Sequence, residues 1–253
     1  MKLLKMQFVI LVLFLSFGSC QNNPSESTNK SKETLGQAEL VSGDGHVLTA
    51  EEQALLTPQL VIERLKSGNF DYVNNKLTLR DYPLQASKSV KGQYPMAVIL
   101  SCIDSRVPVE QVFNLGIGDV FVARVAGNIV NEDILGSLEY SCKVAGSKLV
   151  LVLGHEACGA VKAAIDQVEL GNITPLLDKI QPAVAEAQTF DGEKTTSNKT
   201  FVNHVVELNV LESIAQIRKE SPILKAMEDN GEIRIVGAYY DLHTGKVTFL
   251  EED

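Results

Sequence analysis

Three short apolar runs punctuate the middle of the chain: residues 96–100 (MAVIL), 120–125 (VFVARV) and 149–153 (LVLVL), each bounded by turn-forming residues. Runs this short, without strict polar alternation, read as strands buried on both faces of a parallel sheet. They predict strands at 96–101, 120–125 and 148–154. Helical spacing follows the second and third runs, over 133–145 and 159–170, and returns over 204–219. Near the end, 233–241 and 246–250 flank His243-Thr244-Gly245 as a closing hairpin. Upstream, 48–69 reads as helical, with Thr49 as N-cap, Glu51 and Glu52 in the first turn, and Gly68-Asn69 as a stop. Pro58 divides that stretch or kinks it. Residues 70–93 are polar and irregular, an arm or loop, and 189–200 has the composition of a surface loop. Strands alternating with helices predict an α/β fold: a largely parallel central sheet flanked by helices, with an N-terminal helical arm. No internal repeat is visible.

The first residues follow a different pattern. Lys2 and Lys5 precede an apolar stretch from Phe8 to Phe17, and Gly18-Ser19-Cys20 follows. A basic start, a short apolar core and small residues make an export signal, too short for a comfortable membrane span. Cysteine directly after Gly18-Ser19 resembles a bacterial lipoprotein signal, with Phe17 where leucine is usual; a soluble secreted protein is the rival. The expected division is a signal peptide over 1–19, a flexible linker over 20–48 after an acylated Cys20, and one folded domain over 49–253. This predicts an exported protein lipid-anchored to a bacterial membrane, periplasmic or surface-facing. The linker's start is rich in Asn, Ser, Thr and Lys and too polar to fold.

With 253 residues, 45% of them hydrophobic, the chain can bury one sizeable core. A net charge of -9 disfavours nucleic acid or an anionic membrane surface as main partner. Four cysteines are present: Cys20, Cys102, Cys142 and Cys158. Cys142 falls in a helical stretch and reads as a small buried hydrophobe.

Cys102 follows the first apolar run in SCIDSR; His155 and Cys158 follow the third in GHEACGA. Both motifs therefore fall at the carboxyl ends of strands, where open α/β sheets bind ligands. Two thiolates and an imidazole are a common set of zinc ligands, and three protein ligands leave a position open for water or substrate. A cysteine pair beside a core histidine, or a Cys102–Cys158 disulfide, is the plainer reading. Cys158 stands directly before Gly159, where the helix starts, and a helix N-terminus stabilises a thiolate. Asp104 and Arg106 can form a bidentate pair that keeps the carboxylate ionised and oriented beside a metal; an ordinary loop salt bridge is the alternative. Gly116-Ile117-Gly118 lacks the third glycine of a dinucleotide loop. His46, His204 and His243 have no metal-ligand partner at recognisable spacing.

Taken together, Cys102-Ile103-Asp104-Ser105-Arg106 and Gly154-His155-Glu156-Ala157-Cys158-Gly159 resemble the β-class carbonic anhydrases. The resemblance extends over 49–253, taking in Ser67-Gly68-Asn69, Arg124-Val125-Ala126-Gly127-Asn128 and Ser137-Leu138-Glu139-Tyr140. It implies zinc on Cys102, His155 and Cys158, and an Asp104–Arg106 catalytic dyad. Gln93, Phe121 and Tyr140 stand where the plant-like branch carries pocket residues, and the chain has no Trp, which the other branch uses. Ala126, where many relatives have Val, and Gly159 complete the implied substrate pocket. The implied reaction is reversible hydration of carbon dioxide to bicarbonate and a proton, by hydroxide generated at zinc. A homodimer or dimer of dimers is implied too, with Phe121 and Tyr140 reaching the neighbour's site. Carbon disulfide or carbonyl sulfide hydrolysis on the same scaffold, or a zinc-binding lipoprotein without catalysis, are the alternatives.

Overall fold

In a computed structural model of the protein, residues 45–250 are described; the expected signal, Cys20 and the expected linker up to residue 44 lie outside them. Residues 45–48, expected as the end of a linker, are among the described residues. Leu48 is buried in the core, and the His46 carbonyl accepts a hydrogen bond from the Gln85 amide at 2.9 Å.

Helix α1 (Ala50–Ala54) begins at Thr49 with the reciprocal capping hydrogen bonds of Thr49 and Glu52. Leu55 to Thr57 then interrupt the chain, and α2 (Pro58–Val73) starts on a Thr57 cap with Pro58 in its first turn. Pro58 thus begins a helix rather than kinking one. Gly68-Asn69 is no stop, and α2 runs on to Val73. A Cβ at Gly68 would overlap the Phe113 carbonyl oxygen, so glycine is there for close approach. The Asn69 amide donates to the carbonyls of Val112 and Gly245 and its oxygen accepts from the Val247 N–H, tying α2 to the final hairpin.

The polar arm is less irregular than expected. It contains α3 (Tyr82–Ser89), capped by Asp81, whose carboxylate accepts the Leu84 N–H at 3.0 Å. Its one buried side chain is Gln85, which bridges the His46 carbonyl and the Ile117 N–H. A helix seated by an amide rather than an apolar stripe leaves no periodicity to read.

The sheet begins with β1 (Ala97–Ser101), followed by α4 (Val109–Val112), β2 (Val120–Arg124), α5 (Glu132–Glu139), β3 (Leu149–His155) and α6 (Gly159–Ile165). Next come α7 (Ile173–Leu177), α8 (Gln181–Glu186), α9 (Lys199–Glu220) and α10 (Pro222–Asp229), then β4 (Arg234–Tyr240) and β5 (Val247–Phe249). The strand order is β2-β1-β3-β4-β5, parallel except for the antiparallel β4–β5 hairpin. The α/β class, the three parallel strands and the hairpin match the sequence-based expectation. Alternate residues serve opposite faces: Ala97, Ile99, Leu149 and Leu151 pack with Leu65 and Phe113, whereas Val98, Leu100, Val150 and Val152 meet Leu138, Val210 and Ile214.

Several boundaries differ from expectation. The 133–145 helix is α5 followed by a π-turn from Tyr140 to Val144. Helix α6 stops at Ile165 instead of 170, with Gln167 at φ 54° breaking it. Helix α9 starts five residues before 204 because Asn198, inside the expected surface loop, caps it. Helices α4, α7, α8 and α10 were not anticipated.

Gly68→Ala should be strongly destabilising, since backbone rather than a flexible side chain blocks the new methyl. Overpacking of this kind costs about 1–3 kcal/mol, and each kcal/mol lowers Tm by about 2–4 °C in a domain this size. Thermal unfolding of Gly68→Ala beside Gly136→Ala checks it, because a Cβ at Gly136 meets nothing within 4 Å. Equal Tm values for the two would contradict the packing argument.

Candidate metal and catalytic site

Because β1 and β3 are adjacent and parallel, with Ser101 level with Leu153, the residues at their carboxyl ends are neighbours. Cys102 comes directly after β1, His155 is the last residue of β3, and Cys158 is the N-cap of α6. The turn between the two later residues is tight: Ala157 holds φ 55°, a left-handed conformation that costs a residue with a Cβ. It folds Cys158 back toward His155. One donor atom from each of Cys102, His155 and Cys158 lies within 4.8 Å of the others, and all three residues are buried.

The donors are prepared for a metal. The His155 Nδ1 hydrogen-bonds the Glu156 carbonyl at 2.9 Å, so Nδ1 carries the proton and Nε2 holds the lone pair. That Nε2 is buried and has no hydrogen-bond partner. A buried unpaired nitrogen is costly unless something binds it. The Gly127 N–H donates to the Cys102 sulfur at 3.4 Å, and backbone N–H groups of Ala160 and Val161 at the start of α6 face Cys158. The hydrogen bond from the Cys158 thiol holds Cys102 far below an ordinary thiol, at about 4, and the same contact with burial pushes Cys158 up. Facing sulfurs that share one proton can exchange it for a cation. Cys142 differs: burial alone pushes it to about 12, so it stays a neutral thiol, as expected for a packing residue.

Asp104 and Arg106 form the bidentate pair anticipated from their spacing. Arg106 donates from Nε to Oδ1 at 2.9 Å and from Nη2 to Oδ2 at 2.7 Å, while its backbone N–H also reaches Oδ1. The Arg106 guanidinium holds the Asp104 carboxyl down at about 2 despite the opposing effect of burial. Asp104 Oδ2 stands 3.9 Å from His155 Nε2, so the carboxylate borders the three-ligand cluster.

Sequence reasoning missed the residues that brace this loop. Arg124 donates to the carbonyls of Cys102 and Asp104 at 3.0 and 2.7 Å. Asn209 and Ser213 of α9 donate to the carbonyls of Gly127 and Asn128, fixing the turn whose N–H reaches the Cys102 sulfur. Arg124 was visible as part of the RVAGN segment; Asn209 and Ser213, some 80 residues downstream in a helix, carried no signal.

Ala126 and Gly159 adjoin the cluster. Ala126 begins the turn at Gly127, and a Cβ at Gly159 would meet open space. Gln93, Phe121 and Tyr140 do not join it. Phe121 lies level with Val98 in β1, four residues back from Cys102 and so about 13 Å along the strand. Its ring meets Tyr140 at 6.1 Å, and the two line a groove of about 550 Å³ beside the β2 edge. Gln93 is exposed before β1, at the opposite end of the sheet. The remaining histidines have other company: His46 with Glu52 at 2.8 Å, His204 against the Phe190 ring at 5.4 Å, and His243 with Glu156 at 2.8 Å. Glu156, Asp241 and His243 cluster closely in space, a grouping their spacing did not announce.

Residues 97–247 match the family model described as carbonic anhydrase. Carbonic anhydrase 2 of Mycobacterium tuberculosis is 32% identical over 206 residues, covering 77% of this chain and 93% of that protein. Among solved structures, a β-carbonic anhydrase of Coccomyxa in complex with acetazolamide aligns at 29% identity with a TM-score of 0.59, covering 77% of this chain and 86% of its own. A β-carbonic anhydrase of Aspergillus fumigatus aligns at 26% identity with the same TM-score, covering 76% and 90%. The matched region takes in the four parallel strands and every residue of the cluster at their carboxyl edge, so this chain belongs to the β-class carbonic anhydrases and is a carbonic anhydrase enzyme.

Proposed function

We propose that the enzyme interconverts carbon dioxide and bicarbonate at a zinc ion held by Cys102, His155 and Cys158, with Asp104 and Arg106 as catalytic dyad. The observation that carries this is the unpartnered, buried His155 Nε2 among two sulfurs, bordered by an ionised carboxylate. Two thiolates, one imidazole and an open position suit catalytic zinc. Bound zinc supplies Lewis acidity, which brings the ionisation of water toward neutral pH.

The chain's own residues orient the reaction. Ionised Asp104 can only accept hydrogen bonds, so it accepts one from the attacking water and turns the oxygen lone pair toward carbon dioxide. Arg106 keeps that carboxylate charged and fixed in plane. Arg124, gripping the Cys102 and Asp104 carbonyls, keeps ligand and dyad in register. Ala126 and Gly159 leave room for a small uncharged substrate.

Gln93, Phe121 and Tyr140 belong to this reading only through a second copy, since none lies at the site of its own chain. β2 ends the sheet with the Phe121–Tyr140 groove beside it, which supports a homodimer, or a dimer of dimers, joined near that edge. Phe121 and Tyr140 would line the neighbour's pocket, and Gln93 would donate its amide to substrate oxygen.

Stopped-flow carbon dioxide hydration by the zinc-loaded chain tests the proposal. Asp104→Asn, which keeps shape but adds a donor, should lower kcat by about 10²–10³. Cys158→Ser should lose most of its zinc by elemental analysis. Full zinc retention by Cys158→Ser, an unaffected Asp104→Asn, or an active monomer by light scattering would each contradict its part of the reading.

The address completes it. Acylation of Cys20 would tether the enzyme to a bacterial membrane, in the periplasm or at the surface, with residues 21–44 as reach. Among the described residues no helix is long and apolar enough to cross a membrane. Radiolabelled palmitate should enter the full chain expressed in a bacterium and be absent from Cys20→Ala; equal labelling would contradict acylation there.

A further inference from the structure

Carbon dioxide hydration leaves one proton behind for every bicarbonate formed, and that proton must leave before the next turnover. The groups nearest the cluster cannot carry it. Asp104 is held ionised by Arg106, and Arg106 stays charged throughout. The His155 ring is committed on its Nδ1 side to the Glu156 carbonyl and on its Nε2 side to the cluster. A base with one face toward the site and another toward solvent is needed.

The chain has four histidines. His46 lies beside Glu52 in the helical arm, and His204 stacks on Phe190. His243 is placed differently. It lies three residues after Tyr240, the residue level with His155 across the β3–β4 pairing. A cavity of about 560 Å³ is walled by Arg106 of the dyad, by Glu156 and Ala157 of the turn between the ligands, and by His243. One space therefore joins Arg106 of the dyad and the ligand loop to an imidazole that is 73% exposed.

We propose that His243 carries the proton from the active site to solvent, with Glu156 as the positioning residue that sets its ring. The inference rests on the carbon dioxide hydration reading. Glu156 Oε2 lies 2.8 Å from His243 Nδ1 and also accepts the Leu242 N–H at 3.1 Å, so the carboxylate is pinned before the imidazole meets it. A carboxylate can only accept, so His243 Nδ1 bears the proton and Nε2 is the free base. In each hydration an O–H bond of water breaks, the oxygen bonds to the carbon of carbon dioxide, and bicarbonate forms. The freed proton passes through water in the cavity to Nε2. The imidazolium, paired with Glu156, then yields that proton to a buffer base. Lys162 and Lys199 line the same cavity, and their charge opposes long residence of a second cation. The β4–β5 hairpin lies at the opposite end of the sheet from β2, so a partner joined at β2 leaves this exit open.

The experiment compares zinc-loaded wild type, His243→Ala and His243→Asn by stopped flow in dilute buffer. Asn retains an N–H for Glu156 but cannot carry a proton. Both variants should lose about tenfold or more in kcat with kcat/KM within about twofold of wild type, and added imidazole should restore kcat. Independently of turnover, ¹⁵N NMR of the metal-free and zinc-loaded chain should find neutral His243 protonated on Nδ1. Unchanged kcat in dilute buffer, a parallel fall in kcat/KM that imidazole does not rescue, or an Nε2-protonated ring would overturn the proposal. A wild type inert toward carbon dioxide would remove the hydration reading beneath it, and this inference with it.

Discussion

Everything at the site depends on the pairing of β1 with β3. Two parallel strands, level from Ala97 with Leu149 to Ser101 with Leu153, bring residues 53 apart in sequence to one edge of the sheet. The cost of holding a thiol and an imidazole there is met by the strands' burial, since every residue of both strands is buried. Hydrophobic packing on the two faces is the force that brings the donors together. The donors themselves are an expense: a buried nitrogen without a partner and two sulfurs facing each other disfavour folding until a cation joins them.

Polar contacts then convert a rough convergence into a defined geometry. The chain spends backbone strain at Ala157 to turn Cys158 onto the same point as His155. Asn209 and Ser213 reach from α9 to the Gly127–Asn128 turn, and Arg124 reaches back to the Cys102 and Asp104 carbonyls. These groups touch no donor directly, yet each fixes the backbone next to one: the Gly127–Asn128 turn, whose Gly127 N–H reaches the Cys102 sulfur, and the Cys102–Asp104 loop. The Glu156 residue is used twice: its carbonyl sets the His155 tautomer, and its carboxylate holds the β4–β5 turn at Leu242 and His243.

What was legible in the sequence is what local chemistry dictates. Apolar runs gave the parallel strands, Thr49 gave the first cap, and residue types with close spacing gave Cys102, Asp104, Arg106, His155 and Cys158. Elements seated by polar side chains were invisible: α3 rests on Gln85, and α9 starts at Asn198 in a run of polar residues. Gly68-Asn69 misled because both residues serve packing rather than termination. Contacts across long separations, such as Asn209 to Gly127 or His243 to Glu156, have no sequence pattern. Gln93, Phe121 and Tyr140 were recognisable only by resemblance, since within the chain Phe121 and Tyr140 lie back along the β2 edge and Gln93 at the far end of the sheet, away from the cluster.

The central claim is that two sulfurs and one imidazole hold a catalytic zinc with one position left open. X-ray absorption at the zinc edge of the purified, loaded chain near neutral pH measures this directly. The account predicts a four-coordinate shell of two sulfurs at about 2.3 Å and two nitrogen or oxygen atoms at about 2.0–2.1 Å. A shell with four sulfurs, with none, or with six light atoms would contradict it.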